Sequence, residues 1–288
     1  MQERNTVRSI LAKTTTYLEQ KGVDSPKLSA QLLLAKILGV ERLDLFLDPQ
    51  RPIIEAELNT LRPLVARRGK GEPVAYLLGE REFYGRPFSV SSSVLVPRPE
   101  TEHLIEEALK RIPAETGCRF IDLGTGSGIL AVTAALEYPN ATGLAVDICP
   151  DALAQARMNA QQYGVDGRIS FQEADFVDLK TEYGNFDIVF SNPPYIGEAD
   201  YQTLSHEVTA FEPRKALIGG INGVELPLRV IDEAEKLLKP GGWLFLEMGM
   251  DQGKTISDYL TEQTTFDSIE IVRDLAGLDR VGVARKKN

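Results

Sequence analysis

Cysteine, histidine and tryptophan are nearly missing from this chain: two, two and one among 288 residues. Two thiols make no disulfide framework, and Cys118 and Cys149 stand in neither a metal-type nor a redox-type spacing. Both are read as filler near strands, and no metal is expected. His103 and His206 are read as structural or solvent-facing side chains. Long apolar runs are missing as well. Nothing approaches the roughly 18 residues of a membrane span, and the opening MQERNTVRSI lacks the apolar core of a signal peptide. A cytoplasmic protein without membrane attachment is the expectation. The C-terminal part also lacks positive charge. Residues 1–90 carry 14 Lys and Arg against 11 Asp and Glu, whereas residues 91–288 carry 18 against 31. A protein that wraps duplex DNA normally shows a basic face, so direct nucleic-acid binding is not expected.

What the chain does have is ordinary for a globular protein: 43% hydrophobic and 26% charged residues, and enough length for two domains. Residues 1–82 read as four or five short amphipathic helices. Val7, Ile10, Leu11, Thr14, Tyr17 and Leu18 share one helical face. Ser25-Pro26 starts a second helix and Gly39 stops it. Leu43–Leu47 suggests a third, and Ile53–Arg68 a fourth that Pro63 is expected to kink or divide. Residues 83–96 read as a β-hairpin linker, from the strand formers Phe83, Tyr84, Phe88, Val90, Val94 and Val96 around turn residues. Residues 97–288 alternate strand and helix. Strands are expected near Phe120–Leu123, Thr142–Asp147, Arg168–Gln172, Phe186–Ser191, Trp243–Glu247, Ser268–Val272 and Arg280–Arg285. No helix separates the last two, so they cannot both be parallel. The expected fold is α/β: a Rossmann-like, seven-stranded, mostly parallel sheet with one antiparallel strand, preceded by a small helical domain.

Asn192-Pro193-Pro194-Tyr195 follows the strand Phe186–Ser191. The prolines fix φ and remove two backbone donors, and they push the residues before them out of the helical region. Asn192 and Tyr195 are thereby held on a stiff loop at the carboxyl end of a strand, where open α/β sheets bind ligands. A rigid amide and phenol suit the grip of a planar, amide-like nitrogen.

Gly124-Thr125-Gly126-Ser127-Gly128 lies between the first strand of this region and its helix. Glycines there permit positive φ and close ligand approach, although a plain strand-to-helix turn also wants glycine. Asp147 ends the next strand, 23 positions after Gly124. It is placed either to accept hydrogen bonds from two ribose hydroxyls or to charge the helix start before Pro150. Asp175-Phe176 follows the third strand; it is placed to meet an adenine, or Phe176 belongs to the core. No Lys or Arg lies between Phe120 and Arg157 to neutralise a phosphate. S-adenosylmethionine (AdoMet), with its cationic sulfonium, therefore fits better than a dinucleotide.

The glycine turn, Asp147 and Asn192–Tyr195 resemble the Rossmann-type AdoMet-dependent methyltransferases that modify exocyclic or amide nitrogens. In order along the chain stand Pro73-Val74-Ala75-Tyr76-Leu77-Leu78-Gly79, Phe83-Tyr84-Gly85, Leu95-Val96-Pro97-Arg98-Pro99-Glu100-Thr101-Glu102, Asn192-Pro193-Pro194-Tyr195-Ile196, Phe211-Glu212-Pro213 and Asp279-Arg280-Val281. Together they resemble the HemK/PrmC family of peptide chain release factor N5-glutamine methyltransferases over nearly the whole chain. Asn222-Gly223-Val224 departs from the family's Asp-Gly-Leu, and Pro227 is read as interrupting the start of the next helix. The tetrapeptide alone is shared with adenine-N6 DNA methyltransferases, but those need a basic groove and a target-recognition insert.

The resemblance implies methyl transfer from AdoMet, giving S-adenosyl-L-homocysteine, to the glutamine of the Gly-Gly-Gln loop of bacterial release factors. It implies that the side-chain oxygen of Asn192 and the carbonyl of Pro193 accept the two hydrogens of the substrate amide, while Pro194 and Tyr195 border it. Gly124–Gly128, Asp147, Asp175, Phe176 and the edge of Asn192 would hold the cofactor. The helical domain would dock the release factor, and the enzyme is expected to act as a monomer. Arg98, Glu100 and Thr101 either line the mouth of the site or simply start a helix.

Overall fold

The computed structural model describes residues 5–176, 179 and 184–288; the first four residues of the N-terminal stretch lie outside the described part. The chain forms two compact units. One joins Met1–Glu80 with Ser205–Phe211, and the other joins Arg81–Leu204 with Glu212–Asn288. The segment Ser205–Phe211 had been expected within the third domain, residues 97–288. Its grouping is set by tertiary contacts that a six-residue helix cannot announce in its own periodicity.

The first unit contains α1 (Val7–Gln20), α2 (Pro26–Leu38), α3 (Asp44–Leu47), α4 (Glu55–Arg68) and α5 (Val74–Leu78). A reciprocal cap starts α1: Ser9 N donates to Thr6 Oγ1 and Thr6 N to Ser9 Oγ. Val7, Ile10, Leu33, Leu34, Leu45, Ile53, Leu58 and Leu61 pack together as its core. Pro63 does not divide α4. The proline is exposed, so the carbonyl it leaves unpaired faces water, while buried Leu58 and Leu61 hold the helix to the core.

Arg68 ends α4 with 3% of its surface exposed. Its guanidinium donates to Ser29 Oγ, to the carbonyls of Asp24 and Glu72, and to Glu207 at 2.6 Å. A planar five-donor group suits such a set of acceptors. Glu207 is half-buried and lies in the distant segment, so its pair with buried Arg68 fastens Ser205–Phe211 to the helices.

In the second unit, β1 (Glu80–Phe83) and β2 (Arg86–Ser89) pair across Tyr84-Gly85, both with positive φ, 52° and 71°. The hairpin therefore begins and ends earlier than the expected 83–96. Val90, Val94 and Val96 are buried without pairing as a strand, so strand-forming residues serve burial there. A 3-10 turn, Pro99–Thr101, leads into α6 (Glu102–Arg111). Then follow β3 (Arg119–Leu123), α7 (Ile129–Glu137), β4 (Thr142–Asp147), α8 (Pro150–Gln162), β5 (Ile169–Glu173), β6 (Phe186–Ser191), β7 (Ile196–Gly197), α9 (Glu198–Tyr201), α10 (His206–Phe211, of the first unit) and β8 (Ile218–Gly220). The chain closes with α11 (Glu225–Leu237), β9 (Leu238–Glu247), α12 (Gly253–Glu262), β10 (Phe266–Arg273) and β11 (Asp279–Lys286). Pro227 lies within the first turn of α11, where its missing N–H has no intrahelical partner to lose, so the expected interruption is absent.

The main sheet has seven strands in the order β10-β11-β9-β6-β3-β4-β5. β11 runs antiparallel to both of its neighbours; the other pairings are parallel. Side chains alternate between two apolar layers. Phe120, Ile188 and Phe190 pack with Leu104 and Leu130, whereas Ile121, Leu123 and Val189 pack with Val230 and Ile231. From β3 the chain winds outward through β4 and β5, then returns beside β3 as β6. The strand order reverses at this pair, so their carboxyl ends bound a ligand crevice.

Replacing Arg68 by Ala should lower stability by about 3 kcal/mol, because Glu207 and two carbonyls lose a buried partner. Urea unfolding of the full chain checks this; an unchanged midpoint would contradict the fastening role.

Candidate active site

Ser191 ends β6 and donates its hydroxyl to the Leu123 carbonyl at 2.8 Å, tying β6 to the end of β3. Asn192-Pro193-Pro194-Tyr195 leaves from that point. The two prolines offer no amide hydrogen, so the loop is held by its carbonyls and side chains. Gln252 Nε2 donates to the Tyr195 carbonyl at 2.8 Å, and Gly249 N fixes the other end of that amide by donating to Gln252 Oε1. β7 pairs with β8 directly behind the loop. A Cβ on Gly219 would collide with the Pro194 carbonyl, and one on Gly223 with the Tyr195 carbonyl. Only glycine lets the two backbones approach this closely.

The side chains of the loop end in a buried polar cluster. Asn192 Nδ2 donates to Thr101 Oγ1 at 3.0 Å, and the Tyr195 hydroxyl donates to Glu247 Oε1 at 3.2 Å. Thr101 and Glu247 are 0% and 1% exposed. Burial pushes the Glu247 carboxyl up to about 7, and the nearby Glu100 adds to the rise. The Thr101 hydroxyl, the Tyr195 hydroxyl and Arg280 act the other way. Burial and Glu247 in turn raise the Tyr195 phenol well above its ordinary value, so it stays protonated. Glu212 Oε2 accepts from Val96 N at 3.0 Å and its Oε1 from Arg98 at 2.6 Å, which anchors the segment before Thr101.

The glycine turn lies at the end of β3. Gly124 and Gly126 have φ of 77° and 55°, and a Cβ on either would meet nothing within 4 Å, so both border open space. Gly128 differs: its Cβ would strike Ala156 of α8, so its role is helix packing. Asp147 Oδ2 accepts from Gly126 N and Oδ1 from Cys149 N, each at 2.9 Å. Burial raises its pKa, and these backbone donors counter the rise. Asn159, fully buried, holds the Ser127 carbonyl and both backbone groups of Ser89. Thr125 donates to Asp122 Oδ2 at 2.6 Å, and Ala131 N to the same oxygen. Asp122 Oδ1 is buried with no partner among the described residues.

Asp175 is half-buried just beyond β5, and Phe176 packs against the apolar layer of Val230 and Ile231 with the Arg229 guanidinium over its ring. His103 pairs with Glu106 on α6, and His206 packs on Phe211 in the first unit. Among the described residues no cluster of His, Cys, Asp or Glu could hold a metal ion, and no helix is long and apolar enough to cross a membrane.

Glu247, Gln252, Glu212, Gly219 and Gly223 escaped the sequence reading as working parts. Glu247 left one trace, a lone acid closing an otherwise apolar strand at the sheet's carboxyl edge. Thr101 was read either as part of the mouth of the site or as a helix start. It does stand at the N-cap of α6, but its side chain makes no cap hydrogen bond there.

A seven-stranded sheet of this order, with a glycine turn and an acidic strand end at its crevice, is the architecture of a methyltransferase domain. The methyltransferase domain family matches residues 114–270, and the PrmC N-terminal domain family matches residues 9–79. A methyltransferase structure from Pyrococcus furiosus superposes with a TM-score of 0.52 at 20% identity, covering 71% of this chain and 90% of that one. The release factor glutamine methyltransferase of Nitratidesulfovibrio vulgaris is 45% identical over 98% of this chain and 95% of its own length. That of Koribacter versatilis is 39% identical over 98% and 99%. The chain belongs to the release factor glutamine methyltransferase family.

Asp122 generates a pH signature of the site. Burial pushes its carboxyl up to about 7. Between about pH 4 and pH 7 the unfolded chain therefore releases a proton that the native state keeps, and stability falls with rising pH across that window. Asp122→Asn should become progressively more stable relative to the parent from pH 4 to pH 7, as read by thermal unfolding at each pH. A difference independent of pH would contradict the raised pKa.

Proposed function

We propose that this protein transfers the methyl group of AdoMet to the side-chain amide nitrogen, N5, of the glutamine in the Gly-Gly-Gln loop of peptide chain release factors. The observation that carries the reading is the Asn192–Tyr195 loop in a chain of this family. Its Asn192 amide is pinned by Nδ2, which leaves Oδ1 as the free acceptor. This reading makes the protein a cytoplasmic enzyme that works as a monomer, with the helical unit docking the release factor.

The cofactor crevice suits AdoMet. Gly124 and Gly126 border open space, and each Asp147 oxygen keeps a lone pair for a ribose hydroxyl. Acidic groups without a basic partner favour a cation over a phosphate. When bound, AdoMet supplies a methyl group activated by its sulfonium. Asp175 and Phe176 complete the proposed base end.

A glutamine amide is a poor nucleophile because its lone pair is delocalised. Asn192 Oδ1 and the Pro193 carbonyl accept its two hydrogens, orient the nitrogen, and stabilise positive charge that develops on it. Pro194 and Tyr195 cover the planar face. The extra proton leaves after transfer, so no general base is required at the start.

The direct test is incubation with AdoMet and a release factor, followed by mass mapping. One added methyl on the glutamine of the Gly-Gly-Gln loop is expected; its absence, or preferential labelling of another protein's glutamine or of DNA, would refute the reading. Asn192→Ala should lower kcat by at least about 100-fold, the scale of losing one preorganised charge-stabilising group, with AdoMet affinity largely kept. Asp147→Ala should instead weaken AdoMet binding by roughly 10- to 100-fold, as expected for losing hydrogen bonds to a charged acceptor. Calorimetry with AdoMet separates the two.

A further inference from the structure

We propose that Thr101 is a positioning residue that sets which end of the Asn192 amide faces the methyl acceptor, and that Glu247 sets the polarity of Thr101. The inference rests on the proposed methylation of a glutamine amide and adds two residues to it.

An amide has a donor end and an acceptor end of nearly equal size, so its neighbours decide which way it points. Asn192 turns Nδ2 toward Thr101 Oγ1 at 3.0 Å. A threonine hydroxyl has one hydrogen and can also accept, so that contact holds only while its hydrogen goes elsewhere. The place for it is Glu247, whose Oε1 takes the Tyr195 hydroxyl at 3.2 Å and whose carboxyl is held down by the nearby Thr101 hydroxyl. Its Oε2 is buried with no hydrogen bond among the described residues. An ionised carboxylate can only accept. With the Thr101 hydrogen assigned to the unfilled Glu247 Oε2, Thr101 accepts from Asn192 and leaves Asn192 Oδ1 for the substrate. The helix does not need this hydroxyl, since it caps nothing in α6.

The relay reverses when Glu247 gains a hydrogen. A protonated carboxyl, or a glutamine in its place, can donate to Thr101. The threonine hydrogen is then released toward Asn192, the amide turns, and two NH2 groups face each other across the site. The groups around Glu247 set where this happens: burial and Glu100 favour the proton, whereas Thr101, Tyr195 and Arg280 oppose it. Arg98, which bears on Tyr195, completes the charged surroundings. Activity should fall as pH drops through the Glu247 transition.

The test uses the full chain with AdoMet and a release factor. Thr101→Val and Glu247→Gln should each lower kcat roughly 10- to 100-fold at pH 8, the scale of a misplaced reacting group, with AdoMet affinity by calorimetry changed less than about twofold. Thr101→Ser should rescue the rate, and Glu247→Gln should lose the acid limb seen in the parent. The double variant should be no slower than the slower single one, since both break one relay. A second readout needs no substrate. With 15N-labelled asparagine, the Asn192 side-chain NH2 resonance, assigned by its loss in Asn192→Ala, should move in Thr101→Val and Glu247→Gln but not in Thr101→Ser. Full activity of Thr101→Val, a loss confined to AdoMet binding, or an unmoved resonance would overturn the proposal. If the parent fails to methylate the release factor, the functional reading fails, and the resonance still decides the relay.

Discussion

Two consecutive prolines take two amide hydrogens out of the loop that follows β6, and much of the surrounding structure answers that loss. With no donor at Pro193 or Pro194 the loop cannot pair there as a strand, so it is gripped by its carbonyls and by its flanking side chains. Gln252 takes the Tyr195 carbonyl, and Gly219 and Gly223 let the β8 segment lie flat against the loop. Ser191 ties its root to β3. Asn192 and Tyr195 then reach to the buried side chains of Thr101 and Glu247, where burial makes hydrogen-bond partners count. The stiffness comes from covalent rings, and the surroundings convert it into position.

The crevice has a consistent electrostatic character. Asp122, Asp147 and Glu247 all sit at or near the carboxyl ends of strands, and burial raises the pKa of each. A site that meant to hold phosphate would set basic groups or free amides there. This one spends its turn amides on Asp147 and the Val146 carbonyl instead. The choice of partner for Gly126 N thus separates this crevice from a dinucleotide site that has similar glycine spacing.

The sheet was legible because its central strands are continuous apolar runs closed by polar residues. Thr142–Asp147 and Phe186–Ser191 have the bounds that their sequences suggest. The placement of the glycine turn after β3 and of Asp147 at the end of β4 was legible because both are local to strand ends. Pro63 leaves α4 undivided and Pro227 does not interrupt α11, because one is exposed and the other lies in a first turn. The hairpin was misplaced because Val90–Val96 uses strand-forming residues for burial alone. Glu247 and Gln252 escaped notice, and the partners of Thr101 were not legible, because these contacts exist only across 50 to 150 residues of chain. No periodicity encodes a hydrogen bond between a helix start and a distant strand end.

The fastening of Ser205–Phe211 to the first unit bears on inheritance. The chain crosses between the units three times, near residues 80, 204 and 211, so the helical unit is not an appendage that recombination could exchange at one junction. A foreign N-terminal domain grafted before Arg81 would meet a segment whose Glu207 had been matched to the Arg68 it displaced. Whole-length descent is the simplest route for such a pair, in keeping with relatives that align over nearly their entire length. The Arg68–Glu207 pair therefore ties the history of the helical unit to that of the chain that follows it.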